Sequence, residues 1–126
     1  GRLAKNWKKL KRQLLKMNIE TIREYILQKP SVTEGFPFGE DTLVFKVNEK
    51  IFLLAALDSS PLQFNVKCDP DKAIELRDDY PESVLPGYHM NKKHWNTVIV
   101  DGRLPVKQLK EMIDHSYDLV AKTKKK

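Results

Sequence analysis

The richest group of polar and aromatic side chains in the sequence is the stretch from Gly87 to Val98, Gly-Tyr-His-Met-Asn-Lys-Lys-His-Trp-Asn-Thr-Val. It combines two lysines, two histidines, two asparagines and two aromatic residues, and it contains no acid. Lysines neutralise phosphates, amide side chains hydrogen-bond to base edges, and aromatic rings stack on bases. The stretch therefore predicts a surface for a nucleic acid or another ligand, with the candidate residues Tyr88, His89, Asn91, Lys92, Lys93, His94, Trp95 and Asn96.

A structural interpretation of the same residues stays open. Trp95 could fill part of the hydrophobic core, His94 could hydrogen-bond to a backbone carbonyl, and the two lysines could be solvated at a loop tip. For Trp95 the sequence favours the core position. For Lys92 and Lys93 it favours an exposed binding surface.

Residue types that support catalysis or metal binding are scarce. Cys68 is the single cysteine, which excludes an internal disulfide and a site with several thiolate ligands. It lies on the apolar side of an alternating segment, which is typical of an inert core thiol. The histidines at positions 89, 94 and 115 lack the spacing of paired ligands on a helix, and no glycine-rich phosphate loop occurs. We therefore predict a non-enzymatic protein without a cofactor or a metal.

The formal net charge of +6 is unevenly distributed along the chain. Residues 1–16 contain seven basic residues and no acid, and residues 122–126 contain four lysines. Residues 17–121 contain the other twelve basic residues and all seventeen acids, which gives this part a net charge of −5. An acidic domain lacks the general attraction to phosphates that a basic domain has. Binding of nucleic acid would therefore depend on a local patch or on the two ends of the chain.

Charge and hydrophobic pattern divide the chain into an N-terminal extension, a main domain over residues 17–121 and a basic tail over residues 122–126. Four apolar residues recur at helical spacing within residues 1–16, which predicts an extra amphipathic helix with basic faces. Gly1 in place of an initiator methionine suggests the remnant of a cleaved tag. Met17 is then an alternative start.

Periodicity and turn residues predict the elements of the domain. Helices are expected where apolar residues recur three or four positions apart, and one helix begins at Pro70 with Asp69 as its N-cap. Strands are expected where apolar and polar residues alternate, and a wholly apolar strand should lie in the centre of its sheet. The helices are predicted over residues 19–29, 70–79 and from 105 onward, and the strands over residues 42–48, 50–57, 62–68 and 95–101. The Asn48-Glu49 pair before Lys50 suits a tight hairpin between the first two strands.

Further side chains are expected to anchor these elements. Residues 31–41 have the composition of a loop, anchored by Phe36 and Phe38. Ile74 is expected to face inward on the second helix, and Val106 to begin the buried stripe of the last one. The order helix, three strands, helix, strand, helix predicts an α+β fold, an antiparallel sheet with helices packed on one side.

Alternation places polar side chains on the face of the sheet that the helices leave open. In residues 62–68 every second side chain is apolar, so the polar ones between them must point away from the core. Such side chains are suited to a nucleic acid or a polar ligand. The candidates on this face are Lys46, Gln63, Asn65 and Lys67.

Several motifs together resemble the MmcQ/YjbR family of small bacterial proteins. They are residues 89–97, the most specific motif, with residues 34–39, 43–47, 67–70 and 114–117. The resemblance covers residues 17–121 and implies an α+β fold similar to frataxin-type CyaY proteins and to the double-wing DNA-binding domain of the phage factor MotA. It implies DNA binding through that likeness of fold alone. Iron handling is not implied, because the first helix has only Glu20 and Glu24 in place of an acidic ridge.

We therefore expect a non-catalytic, cytoplasmic DNA-binding protein that uses the open sheet face together with residues 91–97. The alternative is a small-ligand or protein-interaction module in which Tyr88, His89, His94 and Trp95 line a pocket. The sequence has no apolar run of about 18 residues that could span a membrane. The single cysteine fits a reducing compartment.

Overall fold

A computed structural model describes residues 19–88 and 90–122 of the chain. Within these residues, six strands form one antiparallel sheet that three helices accompany. The elements in chain order are α1 (residues 19–27), β1 (Val32–Gly35), β2 (Thr42–Val47), β3 (Lys50–Ala56), β4 (Leu62–Lys67), α2 (Pro70–Asp79), β5 (Val84–Pro86), β6 (Trp95–Val100) and α3 (Val106–Lys122).

The strand order in the sheet is β1-β2-β3-β4-β6-β5, and all neighbours are antiparallel. Strands β3 and β4 are central, which confirms the prediction from the apolar sequence of β3. After β4 the chain leaves the sheet to form α2 and returns at the edge as β5. The fold is the α+β arrangement that the sequence predicts.

The described helices pack on one face of this sheet and close a single hydrophobic core with it. The strands contribute alternate residues to the core, and the helices contribute residues at three- and four-residue spacing. Core residues include Phe45, Phe64, Val66 and Val98 from the strands and Ile26, Leu76, Met112 and Ile113 from the helices. One face of the sheet is therefore covered, and no described helix covers the other.

A buried serine fixes α3 against the centre of the sheet. The Ser116 hydroxyl donates a hydrogen bond to the carbonyl of Phe52 on β3, at 2.6 Å, and accepts one from the backbone N–H of Lys67 on β4, at 2.9 Å. The Phe52 ring also meets the Tyr117 ring edge to face, with centroids 5.4 Å apart. These contacts hold α3 at a fixed position below β3 and β4.

Two local signals in the sequence work as expected. Asn48 and Glu49 connect β2 to β3 with φ angles of 52° and 70°, the backbone conformation that a two-residue hairpin turn requires. The Asp69 carboxylate accepts a hydrogen bond from the backbone N–H of Lys72, at 3.4 Å, and Pro70 is the first residue of α2. The predicted hairpin and the predicted helix start are both confirmed.

Two short edge strands were not predicted. β1 occupies part of residues 31–41, which were expected to form a loop, and β5 has only three residues. A short strand at an edge pairs on one side, so it needs little apolar alternation of its own. Pro86 is tolerated in β5 because an edge strand can leave one N–H position unpaired.

Some expected anchors are exposed instead. Phe36 and Phe38 are 51% and 63% exposed, so they do not hold their loop to the core. Ile74 and Val106 are 55% and 59% exposed, because each lies outside the stripe of its helix that faces the sheet. The predictions for these four residues were wrong.

The predictions for residues 1–16, including the extra helix, the Gly1 remnant and the Met17 start, lie outside the described residues. Lys122 belongs to the predicted basic tail but is the last residue of α3. Residues 123–126 also lie outside the described part of the chain.

Candidate nucleic-acid interface

The face of the sheet away from the helices, called the open face below, is defined by the strand register. Residues paired across neighbouring strands point to the same side, and the buried partners Leu53, Val66 and Val98 mark the helix side. The intervening positions therefore form the open face. Its side chains include all four predicted candidates, Lys46, Gln63, Asn65 and Lys67, together with Val44, Leu54, Trp95, Thr97 and Ile99.

Trp95 lies on the open face and does not fill the core. It is paired with Lys67 across β4 and β6, and it is partly exposed. The next residue, Asn96, points to the helix side, and alternation sends Trp95 the other way. The expected core position of Trp95 was therefore wrong, and its indole stands beside a lysine.

Close packing at the sheet edge fixes the position of Trp95. Gly87 follows β5 and donates its N–H to the carbonyl of Trp95, at 2.9 Å. A Cβ atom on Gly87 would lie 2.8 Å from the Cβ of Trp95, closer than any real contact allows. The glycine is therefore required by the close approach of the two backbones.

A hydrogen-bonded chain links the segment after Gly87 to the middle of the open face. The backbone N–H of Tyr88 donates to the Thr97 hydroxyl at 2.9 Å, and that hydroxyl donates to Oδ1 of Asn65 at 2.5 Å. Thr97 is 3% exposed, whereas Tyr88 is 67% exposed. The chain places the backbone of Tyr88 beside Thr97 and Asn65, a pair that lies two residues along the strands from Lys67 and Trp95.

Arg77 of α2 supports this end from the helix side. Its Nε donates to Oδ1 of Asn96 at 2.8 Å, and its Nη2 donates to the carbonyls of Lys92 and Trp95. Asn96 is 1% exposed, so it is a structural partner of Arg77 and cannot contact a ligand directly. Including Asn96 in the interface was wrong, because its amide satisfies a cation that sequence alone did not reveal.

The other candidates lie in the loop between β5 and β6. Lys92 and Lys93 are exposed as predicted, although Nζ of Lys92 also donates to the carbonyl of Gly87 at 3.1 Å. Oδ1 of Asn91 accepts the N–H of Lys93 at 2.9 Å, which shapes the turn. The His94 carbonyl accepts the N–H of Cys68 at 2.7 Å. His89 lies outside the described residues.

Sequence reasoning missed an aromatic group at the opposite end of the open face. Phe36 lines a groove of about 410 Å³ with Lys46, Val44, Thr33 and Glu34, and the carboxylate of Glu34 is paired with Arg23. Val44 is 1% exposed although it lies on the open face. The Phe-Pro-Phe sequence was the available signal, but it was interpreted as a loop anchor.

The charges of the described residues differ between the two sides of the sheet. Two acids lie on α1, four on α2 and three on α3, so the helices carry nine of the seventeen acids. The strand positions of the open face contain two lysines, Lys46 and Lys67, and no acid. The acidic helices thus lie on one side of the sheet and the lysines on the other.

The reactive side chains of Cys68 and His115 lie on the helix side of the sheet and away from the open face. Cys68 is 3% exposed, as predicted, and burial raises the pKa of its thiol to about 11. Nε2 of His115 accepts the N–H of Asp69 at 3.1 Å, and burial lowers the pKa of this imidazole. Within residues 19–88 and 90–122, no cluster of three or more His, Cys, Asp or Glu residues could hold a metal ion.

No helix among the described residues combines the length and the apolar character needed to cross a membrane.

Comparison with known proteins gives the family. A family model described as YjbR matches residues 27–119. The chain is 39% identical over 101 residues to the uncharacterized protein YbdF of Escherichia coli O157:H7, covering 80% of this chain and 82% of that protein. It is 30% identical over 101 residues to the uncharacterized protein YjbR of Escherichia coli K12, covering 80% and 85%.

Solved structures agree with this assignment. The crystal structure of the Deinococcus radiodurans protein DR2400 matches with a TM-score of 0.79 and 41% identity over 82% of this chain and 78% of that one. A Pseudomonas syringae protein matches with a TM-score of 0.65 and 25% identity, covering 80% of this chain and 97% of the other. Sequence and fold lead to the same conclusion: the chain belongs to the YjbR family.

Proposed function

We propose that the open face, together with the loop between β5 and β6, binds nucleic acid, and that the protein acts by binding and not by catalysis. The distribution of charge carries this proposal. The open strand positions hold Lys46 and Lys67 without an acid, whereas the helices hold nine acids against six basic residues, a net charge of −3. A polyanion is therefore attracted to the open side and repelled from the helix side.

The loop adds positive charge next to this face. Lys92 and Lys93 are exposed, and Arg77 lies partly buried directly behind them. The three acceptors of Arg77 are neutral oxygens, so they hold the guanidinium in place without cancelling its charge. This end of the molecule therefore offers the two lysine charges to a phosphate backbone, and Arg77 holds their loop in place from behind.

The number of lysines sets the strength that we expect. Lys46, Lys67, Lys92 and Lys93 would neutralise at most four phosphates, and each phosphate on duplex DNA contributes about 0.9 to the slope of log K against log salt. The open face and the loop together would then give a salt slope of about 3 to 4. Such binding is salt-sensitive and falls in the weak range typical of contacts to phosphates, with Kd about 10⁻⁴ to 10⁻⁶ M.

The small-ligand alternative has less support. It requires Tyr88, His94 and Trp95 to enclose a pocket, but Tyr88 is 67% exposed and its N–H is bonded to Thr97. The groove beside Phe36 lies at the other end of the open face. We therefore keep ligand binding as an outcome of the test below.

The test compares two double variants of the full chain in a binding titration against labelled DNA at several salt concentrations. Replacing Lys46 and Lys67 with Gln should weaken binding and lower the salt slope by up to about 2 units. Both side chains are half-buried, so the free energy of unfolding should change by no more than about 1 kcal/mol per substitution. Circular dichroism melting checks that point.

The matched control replaces Lys107 and Lys122 with Gln. Both are exposed on α3, and the control removes the same charge from the opposite side of the sheet. We expect the control to retain most of the affinity. Equal losses in the two double variants would show that total charge, and not the open face, governs binding. Unchanged DNA binding together with a ligand that protects the fold would favour the pocket.

A further inference from the structure

The open face pairs each of its two lysines with an aromatic ring. Lys67 on β4 is directly opposite Trp95 on β6, and Lys46 on β2 lines the same groove as Phe36. Residues directly opposite in an antiparallel pair have Cβ atoms about 5 Å apart. A cation and a ring therefore lie within the reach of one nucleotide at Lys67 and Trp95, and a second cation and ring, Lys46 and Phe36, line one groove.

The two pairs lie along a common direction across the sheet. Lys46 is paired with Ile51 on β3, and Leu53 on β3 is paired with Val66, one residue before Lys67. The lysines are therefore at nearly the same height on strands two positions apart, a separation of about 10 Å. A chain that crosses the strands from Trp95 would meet Lys67 and then Lys46, and would follow the groove along β2 to reach Phe36.

Exposed rings are useful to a nucleic acid whose bases are unpaired. In a duplex the bases are stacked inside, and a protein reaches their edges by placing a helix or a ribbon in a groove. The open face has no described helix, and its aromatic side chains stand on or beside a sheet. Unpaired bases can stack on such rings, and each stacked base contributes about 1–3 kcal/mol.

We infer that the open face binds single-stranded DNA, with bases stacked on Trp95 and Phe36 and phosphates on Lys67 and Lys46. This inference rests on the proposed nucleic-acid function and narrows it to one substrate class. Lys92 and Lys93 extend the phosphate path beyond Trp95, because they lie in the loop that precedes it.

The polar groups beside Trp95 favour DNA over RNA. Proteins distinguish RNA by hydrogen bonds to the 2′-hydroxyl. Near Trp95 the Thr97 hydroxyl already accepts from Tyr88 and donates to Asn65, so these groups bond to each other. Stacking and charge then remain as the main sources of affinity, and neither needs a 2′-hydroxyl.

The experiment measures the affinity of the full chain for three probes at one salt concentration. They are an oligothymidine of about 20 nucleotides, a duplex of the same length and an abasic strand that keeps the phosphates but lacks the bases. We expect the oligothymidine to bind at least about 10-fold more tightly than the other two, which corresponds to one or two stacked bases.

Two variants locate the stacking. Trp95→Leu and Phe36→Leu should each weaken oligothymidine binding by about 5- to 100-fold, the fold-change for a lost stacked base, and leave abasic binding unchanged. Phe36 is 51% exposed, so its variant tests the inference even if the Trp95 variant does not fold. Phe38→Leu is the matched control, since Phe38 is 63% exposed in the same loop but does not line the groove.

The outcomes separate this inference from the proposed function. One outcome is that the duplex binds as tightly as the single strand and that replacing Lys46 and Lys67 weakens both. This outcome would overturn the single-strand inference and leave the nucleic-acid proposal standing. An oligouridine of the same length is measured beside these probes, and tighter binding of it than of the oligothymidine would overturn the assignment to DNA. If replacing the two open-face lysines changed the affinity for none of the probes, both the single-strand inference and the proposed function would be overturned.

Discussion

At the scale of single residues, His115 links two helices through a bond that needs a neutral imidazole. Its Nε2 accepts the N–H of Asp69, the cap of α2, so protonation would remove the acceptor. Burial is the main cause that lowers the pKa of His115 below 6.5, and Lys72 and Lys122 add to the effect. Asp69 and Asp118 oppose it.

This arrangement predicts a pH dependence of stability. An unfolded chain takes up the proton near pH 6.5, before the folded chain does, so the contribution of His115 is fully present above about pH 6.5. It is lost as the pH falls from there through the lower pKa of the folded state. We expect the urea unfolding midpoint of the parent to fall more than that of His115→Gln when the pH is lowered from about 7.5 to about 5.

The Gln variant keeps an acceptor but does not titrate in this range, which makes it the control for every other group that titrates there. The same loss of stability in both proteins would show that other groups cause the acid sensitivity.

The residue scale also shows where sequence reasoning failed. The run Val98-Ile99-Val100 is apolar on both faces of its strand. It therefore did not reveal which alternate residues of β6 face the core. Trp95 was placed inside on its apolar character, and Asn96 outside on its polarity. The opposite is true because Arg77, nineteen residues before Asn96, supplies a partner for the buried amide.

At the scale of elements, Arg77 joins α2 to the loop between β5 and β6. We expect Arg77→Met to leave the carbonyl of Lys92 and the amide of Asn96 without their donor, at a cost of about 1–3 kcal/mol for the buried group. Backbone amides of residues 90–95 should exchange with solvent faster, because the loop loses its anchor. Hydrogen exchange and chemical denaturation measure both effects.

Arg103→Met is the matched control for this substitution. Arg103 is 57% exposed and pairs with Glu82 and Asp101 at the surface, so its loss should cost no more than about 1 kcal/mol. Its effect on exchange in residues 90–95 should be small. If both variants behaved alike, Arg77 would not be the anchor of the loop.

The predictability of the elements followed their length and burial. β3, β4 and α2 were located closely because apolar runs, strict alternation and an Asp-Pro start are strong local signals. β1 and β5 were missed because a strand of three or four residues at an edge is determined by its neighbour. The four open-face candidates on β2 and β4 were placed on the face that the structure leaves open, whereas the aromatic groove at Phe36 depends on the unpredicted β1.

At the scale of the whole molecule, the acidic main domain lies between strongly basic ends. Residues 1–16 and 123–126 together carry ten of the twenty-three basic residues and no acid. A flexible or folded cationic segment can add phosphate contacts without specificity. The affinity of the full chain for DNA should therefore be larger than that of the open face and the loop alone.

Comparison of the full chain with residues 17–122 tests this division of roles. The shorter chain keeps every core residue of the described part of the chain, so it should fold, and circular dichroism checks that it does. Its four lysines on the face and the loop limit the salt slope on single strands to about 3, at about 0.7 per phosphate. The full chain should show a steeper slope and higher affinity for every probe, while the preference for single strands, which arises from the rings, should be the same in both. A slope in the shorter chain as steep as in the full chain would contradict this division, because the acidic domain would then attract phosphates as strongly as its basic ends.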